Sequence, residues 1–215
     1  MMNLLPFIPE AVIVGNGEFP VHPFPLQVLE MAPCMVCCDG GADALIRQTA
    51  CTPDWIIGDG DSLSAESRRR FRSIIRYNSD QETNDLTKSV LFLQEKGIRR
   101  IVIVAATGKR EDHTLENISL LMEYRRKGME VAMLTDYGFF VPAADTEVFA
   151  GFAGQQVSIF SFGTSGMSGE GLAYPLRDFT SWWQETLNEV LGNQFTIHCQ
   201  GEYLVYRTYE AKQKF

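Results

Sequence analysis

The strongest constraint in this sequence is a change of rhythm partway along it. From residue 11 to about residue 135, short apolar runs alternate with amphipathic stretches. Ala11 to Val14, Met35 to Cys38, Trp55 to Ile57, Ile101 to Ala106 and Val131 to Leu134 read as strands. Between them, Ala42 to Gln48, Ala65 to Arg72, Leu86 to Lys96 and Thr114 to Lys127 carry apolar residues near a 3.6-residue period and read as helices. Strands that alternate with helices pair in parallel, so this part is expected to be α/β with a mostly parallel sheet. After Asp136 the runs are strand-like (Phe139 to Val141, Val157 to Phe162, Phe195 to Cys199, Tyr203 to Tyr206), with Gly-rich turns such as Gly163-Thr164-Ser165-Gly166 between them. An all-β part is expected there. The boundary is expected near Asp136 to Glu147, where Pro142 and Asp145-Thr146-Glu147 interrupt the apolar pattern, giving domains of 1–140 and 141–215.

Composition narrows the partners. A chain of 215 residues with 45% hydrophobic and 21% charged residues can bury a core without staples and has no disordered or fibrous bias. Its net charge of -8 repels nucleic acid and anionic membrane, so neither is an expected partner, and any phosphate ligand needs local compensation. Apolar runs such as Ile101 to Ala106 fall far short of the roughly 20 residues that cross a bilayer. Met1 to Gly17 lacks a basic n-region and carries Pro6 and Pro9, so it does not read as a secretory signal, and a cytoplasmic location is expected. The five cysteines (34, 37, 38, 51 and 199) have no framework spacing. Cys34-Met35-Val36-Cys37 forms a CxxC inside an apolar run with no second pair at zinc spacing, and buried thiols are expected.

The chemistry-bearing residues follow the strands. No GxxxxGK[ST] is present, and Gly15-Asn16-Gly17 lacks the third glycine of a dinucleotide fingerprint, so a plain turn is expected after the first strand. The second strand ends in Asp39-Gly40-Gly41-Ala42-Asp43, where backbone can approach a ligand or where either acid can start a helix. The third ends in Gly58-Asp59-Gly60-Asp61-Ser62. In extended chain, Asp59 and Asp61 point to one side and repel unless a cation lies between them, and hard oxygen ligands favour Mg²⁺ or Ca²⁺. A solvated acidic turn is the plainer alternative. The segment Asp80 to Lys88 opens a helix with more acids than capping needs: Thr83, Asn84 or Asp85 can serve as N-cap, and Lys88 can pair with Asp85 or reach a phosphate. After the strand Ile101 to Ala106 come Gly108-Lys109-Arg110-Glu111-Asp112-His113, with an Arg for phosphate and an Asp for metal or cap. Several caps at one sheet edge explain this convergence poorly. A site binding polyphosphate through Mg²⁺ explains it better.

These residues, in order and spacing, resemble the thiamine pyrophosphokinases: Asp39-Gly40-Gly41-Ala42, Pro53-Asp54 with Gly58-Asp59-Gly60-Asp61-Ser62, Asp80-Gln81 through Asp85 and Lys88, and Arg110-Glu111-Asp112-His113 with Asn117. The resemblance implies an N-terminal α/β domain binding Mg-ATP, a C-terminal β-sandwich domain binding thiamine, and a homodimer with thiamine sites formed between subunits. It implies transfer of the pyrophosphoryl group of ATP to the thiamine hydroxyl, with AMP as second product. By position, Asp59, Asp61, Asp85 and Asp112 become the metal-binding carboxylates and act in catalysis with Arg110. Asn16, Asp39, Gly40, Gln81, Lys88 and His113 fall on the ATP side. Gly171-Leu172-Ala173-Tyr174-Pro175-Leu176 is similar to the family's Gly-Leu-Lys-Trp segment, with Ala173 for Lys and Tyr174 for Trp, so Tyr174 becomes the face for the thiamine cation. Thr186-Leu187-Asn188-Glu189 is similar to its Ser-Asn-Glu segment, which assigns Asn188 to the substrate. Asn84 in place of Thr and Lys109 in place of Gly are further departures. A Mg²⁺-dependent phosphohydrolase or a non-catalytic nucleotide sensor are the alternatives.

Overall fold

The computed structural model describes residues 4–80, 82–182 and 184–212 of the chain. The chain divides into two compact units. One is Phe7–Asp136; the other runs from Tyr137 onward and includes residues 4–6.

The first unit contains β1 (Ala11–Val14), α1 (Pro23–Glu30), β2 (Met35–Cys38), α2 (Gly41–Gln48), β3 (Trp55–Gly58), α3 (Ala65–Arg70), β4 (Ile75–Tyr77), α4 (Asp85–Glu95), β5 (Arg100–Val104), α5 (Glu111–Arg126) and β6 (Glu130–Leu134). Its strands lie in the order β6-β5-β1-β2-β3-β4, and every pair among them is parallel. All of β1 and Ile101 to Val104 of β5 are fully buried, which is why these stretches are continuously apolar rather than alternating. Successive strands step one way from β1 to β4 and the other way from β1 to β5 and β6. The order therefore reverses between β1 and β5, and in an open α/β sheet the crevice at such a point, beyond the carboxyl ends of the strands, is where ligands bind.

Two elements of this unit lie outside the sequence expectation. Helix α1 carries Pro23 and Pro25, which read as breakers, yet both fall in its first turn, where no intrahelical N–H is needed. The His22 side chain caps it by accepting from Phe24 N at 3.1 Å. Strand β4 is only three residues long and has two exposed positions, so it gives no apolar run. Strand β5 is also shorter than its apolar run: it stops at Val104, because Ala105 turns into left-handed backbone with φ 53°.

The second unit contains β7 (Gly138–Ala144), β8 (Glu147–Ala150), β9 (Gln155–Ser161), β10 (Ser165–Glu170), β11 (Glu185–Glu189), β12 (Gln194–Gln200) and β13 (Glu202–Ala211). Strands β11-β9-β13-β7 pair antiparallel, and β10-β12-β8 form a separate antiparallel sheet. Ala143, Ile159 and Tyr203 from one sheet pack with Phe149, Phe195 and Ile197 from the other in a single core, the arrangement of a β-sandwich. Phe149 and Phe195 stack with centroids 5.0 Å apart. The five cysteines are free, with Cys37 and Cys38 buried on β2, as expected for thiols in a core strand. No helix among the described residues is long and apolar enough to cross a membrane.

Candidate active site

The reversal between β1 and β5 opens into a cavity of about 480 Å³. One side of it is backbone. A Cβ at Gly17 would lie 2.4 Å from the Thr107 carbonyl oxygen and 2.6 Å from that of Ala105, so the turn after β1 can press against the turn after β5 only as glycine. The contact is sealed by Gly17 N donating to Ala105 O at 2.6 Å and Glu18 N donating to Thr107 O at 2.8 Å. What reads as a plain turn in the sequence is thus one wall of the cavity, and Asn16 lines it.

Acids from two strand ends meet at the same edge. Asp39, Asp59 and Asp61 each offer a carboxylate oxygen within 4.8 Å of the others. Asp39 is 2% exposed, on left-handed backbone with φ 35°. Its Oδ2 accepts from Ser62 N at 2.7 Å, while its Oδ1 is buried with no hydrogen-bond partner. Burial, then the negative charge of Asp85 and contact with Asp61, push Asp39 up to about 6, against the downward pull of the Ser62 N–H. Asp85 belongs to the same surroundings, since a Cβ on Gly58 would meet Asp39 Cβ at 2.9 Å and Asp85 Oδ2 at 3.0 Å. A buried carboxylate oxygen without a donor, facing further carboxylates, is the surrounding that a hard divalent cation satisfies, so the donor set fits Mg²⁺. The next acid along α2, Asp43, is occupied structurally: it accepts from Ser64 N, Ser64 Oγ and Ser67 Oγ and fixes the chain beyond Asp61.

The other sequence candidates take different places. Asn84 is the N-cap of α4, accepting from Thr87 N at 2.9 Å, and its Nδ2 reaches Glu116 and Asn117 on α5. Lys88 is buried, with Nζ 3.0 Å from Asp85 Oδ1. Asp112 does not cap α5; it lies inside the first turn, held by the Arg110 guanidinium and the His113 N–H, which bring its carboxyl down to about 2. Asp59, Asp61, Asp85, Arg110 and His113 line the cavity with Asn16, whereas Asp39, Gly40, Lys88 and Asp112 do not: Asp39, Gly40 and Lys88 are buried and Asp112 is exposed. Gln81 lies outside the described residues. Asn84, Lys109 and Asn117 line the cavity without having been assigned to a ligand from the sequence. Asn117 donates to Ala106 O at 2.8 Å, and its position one turn into α5 from the Arg-x-Asp-His segment was the available signal.

The sandwich unit has a pocket of its own, about 400 Å³, between the Tyr174–Arg177 and Gln184–Asn188 segments. Tyr174 is 62% exposed, leaving its ring available for stacking. Asn188 is 1% exposed and fully engaged: Oδ1 accepts from Tyr174 N at 3.1 Å, and Nδ2 donates to Tyr174 O and Glu185 Oε1, each at 2.9 Å. It therefore acts on the pocket through the segments it ties together. Burial pushes Glu185 upward, moderated by the Asn188 hydrogen bond. Leu187, on a bulge of β11 with φ 66°, turns its side chain outward, 67% exposed.

Two family models match the chain: the thiamin pyrophosphokinase catalytic domain over residues 26–133, and the thiamin pyrophosphokinase substrate-binding domain over residues 138–206. No curated protein matches it. Among solved structures, thiamine pyrophosphokinase from Bacillus subtilis aligns with a TM-score of 0.77 and 20% identity over 92% of this chain and 98% of its own. The enzyme from Candida albicans gives 0.79 and 17% over 94% and 90%, and that from Geobacillus thermodenitrificans 0.75 and 22% over 93% and 97%. At these identities the structures establish a shared fold. The sequence models reach further, since they match on both sides of Asp136 and describe the two parts of one enzyme: the chain belongs to the thiamin pyrophosphokinase family.

Proposed function

We propose that the chain transfers the pyrophosphoryl group of ATP to the hydroxyl of thiamine, giving thiamine diphosphate and AMP. The observation that supports this best is the acid group at the carboxyl edge of the parallel sheet, with Asp39 Oδ1 buried and unpartnered beside Asp59 and Asp61. Asp39, Asp59 and Asp61, with Asp85 beside them, would hold Mg²⁺. Bound there, the metal would neutralise polyphosphate charge and polarise the phosphoryl oxygens. The N-terminal cavity takes the nucleotide, with Asn16, Arg110 and His113 among its lining residues. Gly40 brings α2 backbone to the edge, and Lys88 holds Asp85 in place. The pocket of the sandwich unit takes the thiamine, whose cation stacks on Tyr174. In the reaction, the hydroxyl oxygen bonds to the β-phosphorus, the bond from that phosphorus to the α-phosphate oxygen breaks, and AMP departs with the electron pair. The hydroxyl proton passes to an acid at the sheet edge, for which Asp85 and Asp112 are the candidates. The protein acts as a homodimer, and sedimentation as monomer alone at micromolar concentration would contradict that.

Purified protein with Mg²⁺, ATP and thiamine should yield AMP and thiamine diphosphate in equal amounts, and neither product without Mg²⁺. Nucleotide cleavage without a thiamine product would instead mark a phosphohydrolase, and Mg-ATP binding without turnover a sensor. Asp61→Asn should lower kcat/KM by a factor on the order of 10² or more while leaving the thermal transition in place. Near-normal activity in that variant would remove Asp61 from the metal site.

A further inference from the structure

The basic side chains around the N-terminal cavity are not equivalent. Arg110 faces Asp112, Lys88 faces Asp85, and His113 Nδ1 lies 3.8 Å from Glu116. Each of these is matched to a carboxylate before any ligand arrives. Lys109 differs: its Nζ rests on the main-chain oxygen of Asn16 at 2.8 Å and reaches the Asn16 side-chain oxygen at 3.5 Å. Among the described residues, no carboxylate lies in ion-pair range of it. It therefore lines the cavity with a full positive charge held only by neutral oxygens, which a phosphate outcompetes as a partner.

The backbone at this residue points the same way. Lys109 has φ 62°, the left-handed region, where glycine is relaxed and a residue with a side chain is strained. It directly follows Gly108 at φ 76°, so the turn would run more easily with glycine at both positions. A side chain that makes its turn less favourable, while adding an unmatched cation to a cavity lined by Asp59, Asp61 and Asp85, is poorly explained by folding.

From this geometry we infer that Lys109 is a polyphosphate ligand of this chain, an ammonium held ready on the Asn16 carbonyl that transfers to the nucleotide phosphates on binding. The inference rests on the nucleotide assignment above and adds a specificity-determining contact to it. Arg110 has to exchange one anion for another to meet phosphate; Lys109 does not, so it contributes more to the affinity for the charged part of the nucleotide.

The test uses the full chain with Mg²⁺ and α,β-methylene ATP, which cannot transfer its pyrophosphoryl group, and reads affinity by calorimetry. Lys109→Gly and Lys109→Met should each weaken binding by about five- to tenfold, with the loss shrinking as salt is raised, and Lys109→Arg should stay within about threefold of wild type. In turnover, Lys109→Gly should raise KM for ATP and leave KM for thiamine unchanged. Its melting temperature should be equal to or above wild type, because glycine suits φ 62°. That combination of weaker binding with unreduced stability is one that a merely structural lysine would not produce. Wild-type affinity in Lys109→Gly overturns the inference alone, and so does an arginine variant as weak as the glycine one. A wild-type protein that binds no analogue overturns the nucleotide assignment and this inference together.

Discussion

In the metal-free protein, burial first, and then the negative charge of Asp85 and contact with Asp61, disfavour the ionised form of Asp39, the most buried member of the acid group. Its folded value of about 6 lies above the ordinary 3.8, so the folded state favours the protonated carboxyl. That preference is fully present below about pH 4 and is lost as pH rises through about 6. Asp39→Asn, which keeps an oxygen for Ser62 N, should therefore raise the melting temperature of the metal-free protein at pH 7.5 by about 2–4 °C. The gain should shrink at pH 4.5, and the stabilisation by added Mg²⁺ should diminish. A variant less stable than wild type at pH 7.5 would show that burying the Asp39 carboxylate beside its acidic neighbours carries no net cost. Asp112 has the opposite sign: Arg110 and the His113 N–H hold it at about 2, so its contribution is lost only in strong acid. The sequence makes the pairing of Asp59 with Asp61 legible, because residues two apart on extended chain share a side. It does not make Asp39 legible as their neighbour, because that contact joins the ends of two different strands, and the register of β2 against β3 is a property of the sheet.

At the scale of elements, the strands and helices with strong periods are readable from residue 11 to 134, and the ones that escape have physical reasons. Helix α1 hides behind two prolines that its first turn tolerates, and β11 is a polar strand, Glu185–Glu189, broken by the bulge at Leu187. It is a strand through its pairing with β9, which no local pattern announces. The pocket beside it depends on Asn188, whose removal leaves the Tyr174 main-chain groups and Glu185 short of partners. Asn188→Ala should cost about 1–3 kcal/mol of stability and raise KM for thiamine. Tyr174→Ala should also raise KM for thiamine more than KM for ATP, but with little loss of stability, since the ring is largely exposed. Melting curves and steady-state kinetics on the two variants separate the support from the stacking face. Equal effects of Tyr174→Ala on both KM values would make that ring structural.

For the whole molecule, the net charge of -8 opposes the nucleotide proposed for it. On that proposal attraction is local, built from the acid group with the proposed Mg²⁺ and from a few basic side chains, while the long-range field repels a polyanion. The association rate of the ATP analogue without metal should accordingly increase with ionic strength, about two- to fourfold between 20 and 200 mM salt, as screening shortens the repulsion. Stopped-flow mixing reads this directly, and a falling rate would mean that a positive field around the cavity outweighs the net charge. The division into an α/β and an all-β part is visible in the change of rhythm after Asp136. The order β6-β5-β1-β2-β3-β4 is not, although the location of the cavity depends on it. Strand order follows from crossovers that bring together residues about 90 apart, such as Ala11 beside Ile101, and no local window records them.

The hold of Asn188 on Tyr174 has a consequence for how this pocket can change. Both of its hydrogen bonds there go to the main chain, to N and to O, and neither depends on which side chain position 174 carries. Frame and contact surface are therefore separable: the frame is kept by one buried amide, while the surface offered to the ligand can be exchanged a residue at a time. Position 174 is thus a place where the face of this pocket can drift, or be redesigned, without the chain having to refold around each new choice.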